Sequence, residues 1–185
     1  MSSYRLLLGI SLLLLITACA APGYRTGLYS GHLPVGSLVE VLEELPLRTE
    51  HSRVFLQDGE VVKLGNLNRF TTHCNFELRQ LAAIGTAIRP DRLIITGTEI
   101  GDERVVGSGR VMLASRYLTG WHWNNEGGPP TVTRFYHYTL DSVRQPDVMR
   151  LTCHGGEADL PDARLPTLPE IRNALGSKVR IHLNP

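Results

Sequence analysis

Apolar and polar residues alternate along much of this chain, and a period of two predicts half-buried strands. Cys74-Asn75-Phe76-Glu77-Leu78 sets Cys74, Phe76 and Leu78 on one face, and Met149-Arg150-Leu151-Thr152-Cys153 does the same for Met149, Leu151 and Cys153. Val54-Phe55-Leu56 and Val61-Val62 flank Asp58-Gly59, a dipeptide that tolerates positive φ and so predicts a hairpin. Leu93-Ile94-Ile95-Thr96, Thr131 to Leu140 and Asp147 to Cys153 predict further strands, as do Val105-Val106 and Val111 to Leu118 around Gly107-Ser108-Gly109. Gly36 to Leu45 reads two ways. Ser37 and Glu40 could form a capping box, but the segment is short and Pro46 ends it, which favours a strand.

The period changes to that of a helix once. Thr167-Leu168-Pro169-Glu170 is a capping box with proline in the first turn; Leu168, Ile171, Ala174 and Leu175 form one apolar stripe, and Gly176 closes it. Alternation then resumes at Val179, Ile181 and Leu183. Many short strands with one late helix predict a mainly β fold, either an antiparallel sandwich or an open barrel with a C-terminal α-helix.

The N-terminus follows neither period. Arg5 precedes an apolar run from Leu6 to Ile16, too short for a bilayer core that needs roughly 20 helical residues. The run fits the hydrophobic region of a secretory signal. It ends in Leu15-Ile16-Thr17-Ala18-Cys19, which resembles the lipobox of bacterial lipoproteins. That resemblance implies lipidation of Cys19 as the new N-terminus. Ala20 rather than aspartate after it implies sorting to the outer membrane, on its periplasmic face. Residues 1–18 are then the signal peptide, 19–31 a lipidated tether, and 32–185 one periplasmic β-rich domain.

Composition narrows the partners. Removing Arg5 with the leader leaves a formal charge of about zero, so no basic field attracts nucleic acid. The cations are almost all arginine, with Lys63 and Lys178 the exceptions. With Cys19 lipidated, Cys74 and Cys153 remain. An even pair in an exported protein, on the inward face of two strands, predicts a disulfide. Closing a loop of about 80 residues could stabilise the fold by roughly 4–5 kcal/mol.

Motifs for catalysis are sparse. His73-Cys74 and Cys153-His154 offer two sulfurs and two imidazoles for zinc or copper, but alternation turns the histidines away from the cysteines, and a disulfide removes the thiolates. His32, His51, His122, His137 and His182 make no helical i, i+4 pair. A hydrolase could recruit a histidine with Ser108, Ser115 or Asp141, yet no Gly-x-Ser-x-Gly turn is present. Neither a cofactor motif nor a Cys-x-x-Cys occurs. The unusual feature is aromatic: Tyr117, Trp121 and Trp123 lead into a Gly/Pro-rich tip, and Phe135, Tyr136 and Tyr138 return from it. These rings either fill the core or form a surface, with Tyr117, Trp121, Trp123, Tyr136 and Tyr138 as candidates for gripping an envelope protein or glycan.

From about Gly36 the chain is also similar to short proteobacterial lipoproteins of no assigned function. The similarity rests on Leu56-Gln57-Asp58-Gly59, Cys74, Gln145-Pro146-Asp147-Val148, Leu151-Thr152-Cys153 and Pro169 to Gly176, and it implies no activity, cofactor or partner. Two readings follow: a non-enzymatic binding or structural module held at the membrane by lipid, or an envelope hydrolase whose histidine and carboxylate meet only in the fold.

Overall fold

Alternating sequence becomes a large open, curled antiparallel sheet in the computed structural model, which describes residues 30–105 and 130–184. In chain order the strands are β1 (Leu38–Val41), β2 (Leu45–Pro46), β3 (Arg53–Gln57), β4 (Glu60–Val62), β5 (His73–Leu78), β6 (Ala87–Ile88), β7 (Asp91–Arg104), β8 (Thr131–Asp141), β9 (Val148–His154), β10 (Ala158–Asp159) and β11 (Val179–His182). The helix α1 (Leu168–Leu175) precedes β11. The sheet order is β11-β1-β7-β8-β9-β5-β3-β4; β10 pairs with β8, and β2 and β6 form a separate two-stranded sheet. The fold is therefore the open, barrel-like alternative of the two expected. No helix among the described residues is long and apolar enough to cross a membrane.

One face of the sheet carries the core. Val39, Leu93, Ile95, Tyr138, Leu140, Leu151, Phe76 and Leu56 are buried there together with Leu168, Ile171 and Leu175 of α1. The helix starts where its capping box predicts. Glu170 accepts hydrogen bonds from the Thr167 amide (2.8 Å) and hydroxyl (2.9 Å), and also pairs with Arg164. The arginine, chiefly, holds the Glu170 carboxyl down at about 2.

Helix α1 packs on β11 at one end of the sheet and on β3 and β5 near the other, so it bridges the opening of the curl. The seam is narrow. The Asp58-Gly59 turn, with φ of 51° and 81°, meets Gly176 at the end of α1. The Gly59 amide donates to Ala174 O (3.1 Å), and Asn173 Nδ2 donates to Asp58 Oδ1 (3.1 Å). A Cβ on Gly176 would lie 2.3 Å from Gly59 Cα, so both positions require glycine.

Cys74 and Cys153 face each other across β5 and β9, fully buried and joined as a disulfide with Cα atoms 4.1 Å apart. Their phase is as the alternation predicts, with one shift. A bulge between Glu77 and Leu78 pairs Leu78 with Val148, so Val148, rather than Met149, takes the buried position.

Tyr136 and Tyr138 are core residues, which corrects their assignment to an aromatic binding surface. Tyr138 is fully buried and donates its hydroxyl to Gly31 O; Tyr136 is 4% exposed and stacks on it with ring centroids 5.8 Å apart. Burial pushes the Tyr138 hydroxyl pKa up, as it must for a phenol locked against a carbonyl. Tyr117, Trp121 and Trp123 lie outside the described residues, as do Cys19, Ser108, Ser115 and His122.

Candidate functional site

Register, more than any motif, organises the face of the sheet turned away from α1. Because neighbouring strands pair residue by residue, side chains of like phase line up in rows across the sheet. The first row runs Gly101 (β7), Phe135 (β8), His154 (β9), His73 (β5). The second runs Glu99, His137, Thr152, Asn75 and Phe55, and the third Gly97, Thr139, Arg150, Glu77 and Arg53.

The first row is a file of rings. His73 and His154 stack with centroids 4.8 Å apart and planes 10° apart, and Phe135 lies 5.2 Å beyond His154. Phe135 also covers Gly101, where a Cβ would come within 2.4 Å of its ring. This explains the glycine inside a strand: a neighbouring aromatic occupies the space its side chain would need. His73 Nδ1 lies 3.1 Å from Thr71 O; a carbonyl only accepts, so Nδ1 carries the proton and Nε2 the lone pair. His154 Nδ1 is buried with no hydrogen-bond partner among the described residues. Burial, reinforced by His73, His137 and Arg53, holds the His154 imidazole pKa down at about 3, and burial also lowers that of His73. Both rings are neutral at neutral pH.

The other rows are conventional polar supports. His137 Nδ1 shares a 2.6 Å hydrogen bond with the Thr152 hydroxyl, and Thr152 is 2% exposed. Glu77 accepts from Arg150 (2.7 Å) and Arg53 (3.2 Å); burial alone would raise its pKa, but the two guanidiniums outweigh that and lower it.

A half-open groove of about 660 Å³ lies over this face. Its floor includes Phe55, His73, Asn75, Thr133 and His154, and its walls include Arg53, Leu64, Leu67, Arg69, Leu81, Glu103 and Glu157. The wall around residues 63–72 is fixed by Gln57, a buried side chain that donates to Asn68 O and Thr71 Oγ1 (2.8 Å each) and accepts from the Asn68 amide (2.9 Å). Leu64 and Leu81 stand at its rim, 53% and 68% exposed.

The structure keeps His73 and His154 together on the face that strand phase predicts and adds Phe135 and His137 of β8 beside them, which the linear sequence does not reveal. His51 also lines the groove, its Nδ1 3.0 Å from Thr49 O, whereas His182 lies on a different surface, 2.8 Å from Glu40. Asp141 sits exposed near the end of β8, and no histidine hydrogen-bonds it among the described residues. Also among the described residues, no three His, Cys, Asp or Glu side chains form a metal-holding group. No protein family, curated protein or solved structure matches the chain.

Proposed function

We propose that this protein is an outer-membrane lipoprotein anchored through Cys19, whose periplasmic β-domain is a non-enzymatic binding module that docks an envelope partner in the groove over the ring file. The carrying observation is the groove itself: a half-open hollow of about 660 Å³ whose apolar rim, Leu64 and Leu81, is exposed above a floor that joins Phe55 to His73, Asn75, Thr133 and His154. Apolar contact area bordered by a few fixed polar groups is the usual composition of a binding site.

Binding is favoured over hydrolysis by what the histidines touch. A general base needs a nucleophile and an orienting group within reach. The hydroxyl beside His137 belongs to Thr152, which is too buried to meet a substrate. His73 is oriented by a carbonyl, and His182 pairs with a carboxylate already shared with Arg92 and Arg180.

A photo-crosslinking residue placed in cells at Leu64 or Leu81, and at Val143 as the control, tests this reading; Val143 is 97% exposed and does not line the groove. Adducts to one envelope component from the groove positions alone support it. Equal adducts from Val143, or none from the groove, count against it.

A further inference from the structure

We propose that His73 and His154 form a two-imidazole anchor for a transition-metal ion, copper(II) ahead of nickel(II) or zinc(II), entering through the groove with its other coordination positions filled by water or by a ligand it carries. This deepens the reading of the groove as a binding surface and rests on it.

The placement is prepared by the backbone. His73 and His154 are directly opposed in the β5–β9 register, and the Cys74–Cys153 disulfide one residue along locks those two strands together. Strand phase keeps the sulfurs on the core face and both imidazoles on the groove face. The four-ligand cluster of two sulfurs and two imidazoles is therefore split, and its histidine half remains available.

The hydrogen bonding of His73 fits a ligand role. A metal-binding imidazole characteristically donates its other ring N–H to a backbone carbonyl or carboxylate, which fixes the tautomer and aims the lone pair. His73 does this through Nδ1 and Thr71 O at 3.1 Å.

His154 lacks such support: its Nδ1 is buried without a partner among the described residues and keeps the ring's proton when Nε2 takes the ion, so His154 is the weaker of the two ligands.

Two features set the character of the site. The rings lie parallel, 10° apart, so an ion joins them only when their Nε2 edges pivot toward one another on the groove side. No third protein donor completes the set among the described residues, so coordination stays open and the ion exchangeable. Sites of imidazole nitrogen follow the order in which copper(II) binds most tightly, which gives the preference stated.

The test titrates copper(II), buffered with glycine, into the full-length protein in detergent by calorimetry, with electron paramagnetic resonance of the loaded sample. His73→Phe and His154→Phe keep a ring in the file while removing its nitrogens, and His182→Gln is the control outside the groove. The expected result is one exchangeable site per protein with two imidazole nitrogens in its signature, weakened at least about tenfold by either phenylalanine variant and unchanged by His182→Gln. Wild-type copper affinity that survives both phenylalanine variants overturns the proposal, as does absence of binding in the wild type. Thermal unfolding of each variant confirms that a loss is not a loss of fold. Copper binding with no crosslinks from Leu64 or Leu81 would reject the partner-docking reading and leave the metal site standing; the reverse outcome would reject the metal site alone.

Discussion

Replacing His154 with phenylalanine should make the metal-free domain more stable, although it removes a partly buried residue at the centre of a packed row. The ring file between Phe135 and His73 is preserved, because Phe fills the same planar space. What disappears is a buried Nδ1 with no hydrogen-bond partner among the described residues. Leaving such a group unsatisfied costs about 1–3 kcal/mol, so the variant should gain about that much at neutral pH. The sign of the pH dependence follows from linkage. The His154 folded pKa of about 3 lies below the ordinary value of 6.5, so the unfolded chain takes up the proton first. Stability is therefore lost as pH falls below about 6.5, and the loss levels off only near the folded value. Between about pH 7.5 and about pH 5 this one residue removes about 2 kcal/mol from the wild type. The charges around it, His73, His137 and Arg53, all oppose its protonation, while the carboxylates of the groove wall, Glu103 and Glu157, are not among the groups that shift it. Urea denaturation of both proteins at the two pH values, with EDTA present, measures the difference. A variant less stable than wild type at neutral pH, or one that loses stability toward pH 5 as steeply as wild type, would mean that the unpartnered nitrogen of His154 carries no such cost.

Three further outcomes are expected. Gly176→Ala, at φ 58° and with its new Cβ 2.3 Å from Gly59 Cα, should cost about 2–4 kcal/mol by denaturation, and a neutral result would mean that the seam between α1 and the β3–β4 turn is not closed. Asp91 is buried and accepts hydrogen bonds from Ser142 (2.6 Å), Arg144 and Gln145 (3.2 Å). Burial pushes its pKa up, but those bonds outweigh it and hold the carboxyl at about 2. Asp91→Ala should therefore destabilise by about 2–3 kcal/mol at neutral pH, and by less once the pH falls below the ordinary carboxylate value near 3.8, where the wild type loses this contribution too. Cys19→Ser should abolish palmitate labelling and release the protein from membranes on fractionation; retained labelling would reject the lipobox reading.

Local chemistry makes some of this architecture readable from sequence, and long-range pairing conceals the rest. The capping box at Thr167 and Glu170, the Asp58-Gly59 turn and the inward phase of Cys74 and Cys153 each depend on residues within a few positions of one another, and all appear as expected. Strand β7 is legible in the sequence only as far as Thr96. Its second half, Gly97 to Arg104, contains two glycines and several charges, and its strand form comes from pairing with β8 and from Phe135 covering Gly101. The aromatic residues near position 136 adjoin in sequence and so invite grouping, whereas the same alternation that places the cysteines separates them: Tyr136 and Tyr138 face the core, Phe135 and His137 the groove. The ring file needs one thing that alternation does not supply, the neighbour order β8-β9-β5.

We propose that the groove over this ring file is the surface the protein keeps occupied in its envelope. Hydrogen–deuterium exchange of the full-length protein in native outer-membrane vesicles, compared with the same protein purified in detergent, tests it most directly. Added protection in the vesicles should fall on residues 50–55, 63–73 and 103–105, which contribute the groove's floor and walls, with the turn around Val143 unchanged. Identical exchange in both samples, or protection confined to surfaces away from the groove, would contradict it.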